Sequence, residues 1–110
     1  LRPDVAGWRR ERLPEGPRGA VVAIIPDWIC EIVSPGNPSS DTVRKKRIHF
    51  RHQVPHYWLI DPIGRSLEVL RWSADGYTTV LTALDGERVR AEPFEEVELS
   101  LGLLLGEEVD

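Results

Sequence analysis

The chain has 110 residues, 41% of them hydrophobic and 29% charged, which is a composition typical of one soluble globular domain. It contains no run of about 18 apolar residues and no basic start followed by an apolar stretch, so neither a membrane span nor an export signal is visible, and a cytoplasmic location is expected. The net charge of −4 divides into +4 over residues 1–60 and −8 over residues 61–110.

The N-terminal half is predicted to alternate strands with proline-rich loops. RPDVAGW (2–8) is predicted to be a strand and residues 11–19 a loop. AVVAII (20–25) is apolar and β-branched, and Pro26 either separates it from WICEIV (28–33) or bends a single strand. A helix is expected over about residues 40–53, where Ser40 can cap the N-terminus and Asp41 complements the helix dipole.

The C-terminal half is predicted to form an antiparallel meander. Asp-Pro-Ile-Gly, Ala-Asp-Gly and Asp-Gly are turn signals spaced about 10–12 residues apart. They separate HYWLID, SLEVLRW, YTTVLTAL and RVRAEPF, the strands of the expected meander. VELSLGLLL is then expected to be a last strand or a short helix, followed by an acidic tail.

Glu31 is the most informative residue, because it is the only charge in an otherwise apolar strand. Desolvating a lone carboxylate costs several kcal/mol, so Glu31 must be paired, hydrogen-bonded or bound to a cation. Asp4, on the earlier strand, and Lys45, on the helix, are candidate partners. Cys30 beside it has no second cysteine and is expected to be an inert buried thiol.

Four polar residues, Asp41, Lys45, His49 and His52, follow one face of the predicted helix. This face is either an ordinary solvent face or a row of donors directed at the carboxylates. His49, His52 and His56 have the spacing of zinc ligands, but Pro55 should end the helix first, which argues against a three-histidine site.

Basic residues cluster around the same helix and in Arg9–Arg12. Such clusters either contact phosphates or form a solvated surface. P-loop, GxGxxG, CxxC and GxSxG motifs are absent, which argues against P-loop nucleotide binding, zinc-finger and serine-hydrolase functions.

Several motifs together resemble the Uma2 family of putative restriction endonucleases. They are RPDVAGWRRERLP, PDWICEIVSPG, Asp41 followed by Lys45, VPHYWLIDPIGRSLEVLRW and RVRAEPFEEVEL, in the order of the family. The resemblance covers almost the whole chain. It implies the restriction-endonuclease-like α/β (α+β) fold of PD-(D/E)XK nucleases, with a mixed central sheet, a flanking helix and a C-terminal antiparallel meander.

The resemblance also implies a set of site residues. Asp4, Glu31 and Lys45 correspond to the catalytic residues, the lysine having moved to the helix from the position of Val33. Asp4, Glu31 and the carbonyl of Ile32 would bind Mg²⁺ or Mn²⁺. Nucleic acid, expected to be DNA, would be contacted by Arg44, Lys46, Arg47, His49 and Arg51, although His49 could instead shuttle a proton.

The chain departs from the family pattern in three ways. His49 replaces the usual tyrosine, and Gln53 replaces the usual glycine, which puts the end of the helix in doubt. The first residue is not methionine, and the family has further N-terminal elements with another acidic residue, so residues 1–110 are expected to be one N-terminally truncated domain. The alternative functions are a metal-dependent endonuclease and a binding module without catalysis. An exposed first strand would also favour a homodimer.

Overall fold

A computed structural model describes residues 3–12, 24–33 and 39–106, without the side chains of residues 39 and 40. The sequence accounts for the long elements, because β-branched and aromatic runs form the central strands and the polar segment between two prolines forms the helix. In chain order the elements are β1 (Val5–Gly7), β2 (Trp28–Ile32), α1 (Ser39–Arg51), β3 (His56–Asp61), β4 (Ser66–Ser73), β5 (Gly76–Leu84), β6 (Arg88–Val89), β7 (Leu99–Ser100) and α2 (Leu101–Leu104).

Strands β1 to β5 form one mixed sheet in the order β1-β2-β3-β4-β5. Strand β2 pairs with β3 in parallel, and α1 is the crossover between them, as a parallel pair requires. All other neighbours in this sheet are antiparallel. The predicted mixed sheet with a flanking helix is therefore confirmed. No helix in the described ranges is long and apolar enough to cross a membrane.

The two faces of the sheet are covered by different elements. Ile29 and Tyr57, which are register partners, pack with Val54 after α1. Cys30 and Trp58 point to the other face, where they pack with Ala91, Leu101 and neighbouring aliphatic side chains. Because side chains alternate along a strand, Glu31 lies on the face of Ile29 and Tyr57. The predicted burial of WICEIV on both faces is confirmed for its centre.

The C-terminus of α1 closes despite the glutamine at position 53. Gln53 has a φ of 57°, and its N–H donates to the Phe50 carbonyl at 2.9 Å. The N–H of Val54 donates to the His49 carbonyl at 3.3 Å, which completes a Schellman motif. The doubt about this helix end is thus resolved, and the motif fixes where α1 leaves the sheet.

The predicted meander is confirmed for β3, β4 and β5, but the prediction that RVRAEPF forms its fourth strand is wrong. In the segment RVRAEPF only Arg88–Val89 is a strand, and it pairs with β7 in a separate two-stranded sheet. The reason is packing, because Ala91 is fully buried against the face of Trp58, where the chain covers the large sheet. The segment VELSLGLLL contains both alternatives, β7 and then α2.

Some predictions fall wholly or partly outside the described residues. These are most of the loop 11–19, residues 20–23 of the AVVAII strand, the Ser40 cap and the acidic tail. Within the described part, Ile24 and Ile25 are not in a strand. The truncated single domain, the homodimer and the cytoplasmic location stay predictions.

Candidate active site

The backbone register places Asp4 directly beside Glu31. Val5 is paired with Cys30, so the next pair outward is Asp4 with Glu31. The Asp4 N–H donates to Oε1 of Glu31 at 2.8 Å, and the N–H of Ile32 donates to Oδ2 of Asp4 at 2.7 Å. Each carboxylate is thus oriented by the opposite strand, and the two acids lie together at one end of β1 and β2.

Helix α1 supplies two basic side chains to the other oxygen of Glu31. Lys45 Nζ lies 3.8 Å from Oε2 of Glu31, and His49 Nε2 lies 3.7 Å from the same atom. Lysine and histidine reach one oxygen because residues four apart share a helix face. The structure therefore brings together Asp4, Glu31 and Lys45, the three residues of the predicted site.

A small cleft opens beside Glu31. It has a volume of about 10 Å³, enough for one water molecule or ion. Its walls include Ile32, whose carbonyl belongs to the implied ligand set, together with Asp41 and Lys45. The Lys45 side chain is 27% exposed and Glu31 only 4%, so the lysine is the part of the pair accessible to a ligand.

Glu31 is ionised in this environment although it is buried. Burial opposes ionisation, but His49, the N–H of Asp4 and the positive charge of Lys45 together outweigh it and hold the pKa of Glu31 below its ordinary value. The site therefore contains a buried carboxylate that stays negative, which is the property that binding a hard cation requires.

Three buried polar atoms on the α1 face have no hydrogen-bond partner among the described residues: Oε2 of Glu31, Nε2 of His49 and the hydroxyl of Tyr57. The rings of His49 and Tyr57 are 5.7 Å apart in an edge contact. Sequence reasoning missed Tyr57, because a tyrosine between apolar residues in HYWLID is typical of a core position. Only its register beside Ile29, two residues before Glu31, could have indicated the site.

Asp41 also belongs to this neighbourhood. Its Oδ2 lies 3.7 Å from Lys45 Nζ, and its side chain lines the cleft beside Glu31. The sequence assigned Asp41 to the helix start and to a pair with Lys45. The structure adds that Lys45 lies between two carboxylates, so the helix face directed at Glu31 is not a plain solvent face.

The predicted nucleic-acid contacts divide into two groups. Arg44, Arg47 and Arg51 are exposed on α1 and Lys46 is half-buried, so they stay candidate phosphate contacts. His49 is 5% exposed and packs beneath Glu31. The predicted phosphate contact of His49 does not fit this placement, because its ring is enclosed between the helix and the sheet. His52, at the end of the polar stripe, is exposed.

Two other polar residues lie outside the site. Asp61 accepts the N–H groups of Ile63 at 3.1 Å and Gly64 at 3.0 Å, as a turn residue does. Burial, with the charges of Asp4 and Glu31, raises the pKa of the Cys30 thiol to about 12. Cys30 is therefore a protonated core residue and not a nucleophile.

The donors present suit a hard cation better than zinc. Within the described ranges, no three His, Cys, Asp or Glu side chains are grouped so as to hold a metal ion, so the three-histidine site does not form there. Asp4 and Glu31 offer carboxylate oxygens at one place, and Oε2 of Glu31 is buried without a hydrogen-bond partner. This donor set fits Mg²⁺ or Mn²⁺ with further oxygen ligands from water and substrate.

Comparison with known proteins gives one family and a similar solved structure. The family model described as "Uma2: Putative restriction endonuclease" matches residues 1–103. A crystal structure of a putative nuclease belonging to DUF820 from Anabaena variabilis is 26% identical, with a TM-score of 0.64. The match covers 94% of this chain but 58% of that one, so the chain spans less than two thirds of its length. No curated protein matches the chain.

Proposed function

The chain belongs to the Uma2 family of putative restriction endonucleases, and we propose that it hydrolyses phosphodiester bonds of nucleic acid, with DNA as the expected substrate, using a divalent cation. The observation that carries this proposal is Oε2 of Glu31, a buried carboxylate oxygen without a hydrogen-bond partner that faces Lys45. A buried carboxylate oxygen without a hydrogen-bond partner is an exception in folded proteins, and such exceptions are concentrated at functional sites.

The cation would be held by Asp4, Glu31 and the carbonyl of Ile32. When bound, Mg²⁺ or Mn²⁺ supplies a nucleophilic water at neutral pH and neutralises charge on the phosphoryl group. The protein keeps the two carboxylates in place because Glu31 accepts a hydrogen bond from the N–H of Asp4 and Asp4 accepts one from the N–H of Ile32. These bonds leave Oε2 of Glu31 directed at the cleft.

Lys45 is proposed to act on the reacting phosphate. Its ammonium group is partly exposed at the mouth of the cleft, between Glu31 and Asp41. From there it can orient the attacking water or stabilise negative charge in the transition state. The two carboxylates hold its ammonium group beside the cleft before the substrate arrives.

The exposed basic residues of α1 are proposed to bind the phosphate backbone. Arg44, Arg47 and Arg51 lie on the helix that carries Lys45. Contacts of this kind position a duplex without reading its sequence. They would place a phosphate near Lys45. This local positive charge would allow the surface to bind nucleic acid although the net charge of the chain is −4.

The proposal is tested by cleavage of plasmid DNA and of RNA in the presence of Mg²⁺ or Mn²⁺. We expect the wild type to cut one of these substrates, and Glu31→Ala to abolish cutting. Asp61→Asn is the matched control, because Asp61 is an acidic strand residue whose carboxylate binds turn amides, so this variant should remain active. Equal activity of wild type and Glu31→Ala would refute the assignment.

A binding module without catalysis is the alternative function. It is favoured by the lack, in the described ranges, of a metal-binding group with three side-chain ligands. This alternative predicts that the chain binds nucleic acid through α1 without any dependence on divalent cations. Binding that is unchanged by chelation, together with no cleavage of either substrate, would support it.

A further inference from the structure

The orphaned atoms around Glu31 form one group. Tyr57 is fully buried, Glu31 is 3% exposed and His49 is 5% exposed, and each has a polar atom without a hydrogen-bond partner in the described part of the chain. Buried polar groups are normally paired, since an unpaired group loses its hydration without compensation. Three exceptions at one place indicate that the arrangement serves the site and not the stability of the fold.

Lys45 and His49 both approach Oε2 of Glu31, but they differ in exposure. His49 Nε2 is 3.7 Å from Oε2 of Glu31, just beyond hydrogen-bond length, and the Lys45 ammonium lies at 3.8 Å from the same oxygen. Lys45 is on the accessible side, whereas His49 is enclosed. When Lys45 turns to a phosphate, His49 is the donor that stays beside Glu31.

Tyr57 completes the buried side. Its ring meets that of His49 edge-on, with centroids 5.7 Å apart and planes at 62°. Burial and the negative charge of Glu31 raise the pKa of Tyr57, so its hydroxyl stays protonated. The tyrosine ring limits the rotation of the imidazole.

We propose that His49 is a positioning residue, which lies beside Oε2 of Glu31 on the buried side while Lys45 acts at the substrate, and that the ring of Tyr57 holds the His49 imidazole in place. The inference rests on the proposed metal-dependent function. It differs from the predicted role of His49, since no contact with nucleic acid is involved. It requires the His49 tautomer that carries its hydrogen on Nε2.

The first test is the affinity for Mn²⁺, measured by calorimetry on the full chain. We expect His49→Phe to weaken binding about tenfold, as loss of a partner behind a metal ligand does. Tyr57→Phe keeps the ring that contacts His49, so it should bind Mn²⁺ like the wild type. His49→Gln, which restores a donor near the position of Nε2, should recover most of the affinity. Melting temperatures without metal should not fall in Tyr57→Phe, because the lost hydroxyl has no partner.

Two variants serve as matched controls. Tyr77→Phe removes the hydroxyl of a half-buried tyrosine that donates to the Val54 carbonyl at 2.7 Å, so it should lower the melting temperature and leave Mn²⁺ affinity unchanged. His52→Gln changes an exposed histidine of the same helix and should alter neither quantity. Wild-type affinity in His49→Phe, or no recovery in His49→Gln, would overturn the positioning role.

A double-mutant cycle separates this inference from the proposed function. If the wild type does not bind Mn²⁺, the metal-dependent function fails. The positioning role is then decided by the free energies of unfolding without metal of His49→Phe, Glu31→Gln and the double variant. We expect the two changes to be non-additive, because the residues contact each other. Additive effects would overturn the proposal whatever the outcome of metal binding.

Discussion

The end of helix α1 offers a prediction whose magnitude follows from the backbone. Gln53 is in the left-handed region with a φ of 57° and is exposed at the C′ position. This conformation costs a residue with a Cβ about 1–2 kcal/mol. Gln53→Gly removes that cost, but a glycine makes the unfolded chain more flexible, which costs about 0.4–1 kcal/mol. The variant is therefore expected to be more stable by about 0.5–1 kcal/mol, or roughly 2–8 °C in melting temperature.

The measurement is thermal and denaturant unfolding of wild type and Gln53→Gly under identical conditions. Arg65 is the informative contrast, since its φ is 52° but its guanidinium contacts Asp85 at 2.6 Å. Arg65→Gly loses this pair as well as the strain, so its gain should be smaller or absent. A destabilised Gln53→Gly would refute the reasoning, because it would show that the glutamine side chain and not the backbone determines this cap.

Three further predictions concern the site and its surroundings. Lys45→Ala should abolish cleavage and keep most of the affinity for DNA, whereas Arg47→Ala should keep cleavage and reduce the salt dependence of DNA binding by about one unit; the reverse pattern would exchange their roles. Asp61→Asn should weaken the turn by about 0.5–1 kcal/mol in unfolding and leave Mn²⁺ affinity unchanged, and a large loss of affinity would place Asp61 in the site. Because the folded pKa of Glu31 lies below its ordinary value of 4.5, the carboxylate stabilises the fold above that pH and loses this contribution as the pH falls through the lowered pKa. The stability of wild type relative to Glu31→Gln should therefore be constant near neutral pH and decline below about pH 4.5, and a difference independent of pH would contradict an ionised Glu31.

Local chemistry made much of the fold predictable. The turn at residues 61–64, where the Asp61 carboxylate accepts two backbone N–H groups, follows from the preference of Asp-Pro-Ile-Gly for a turn. The charge of Glu31 was informative because an apolar strand gives a carboxylate no ordinary reason to be present. Lys45 followed from the resemblance and from the helix period, which places it on one face with Asp41.

What sequence reasoning missed depends on long-range pairing. The role of Tyr57 arises from the parallel register of β2 and β3, which residues 33–55 separate in the chain. Strand β6 has only two residues, too few to give a period, and the burial of Ala91 on the far face diverts the chain from the meander. His49 was placed on the polar face of α1, with a phosphate contact and an orientation toward the carboxylates both open, because a histidine in a basic helix gives no local sign of which way it faces.

The central claim is that Glu31 binds a divalent cation, and a Mn²⁺ titration followed by calorimetry tests it most directly. We compare the wild type with Glu31→Ala and with Glu96→Ala, which removes an exposed carboxylate elsewhere on the chain. The account predicts one saturable site in the wild type and in Glu96→Ala, and its loss in Glu31→Ala. Binding of equal affinity in all three proteins would contradict it.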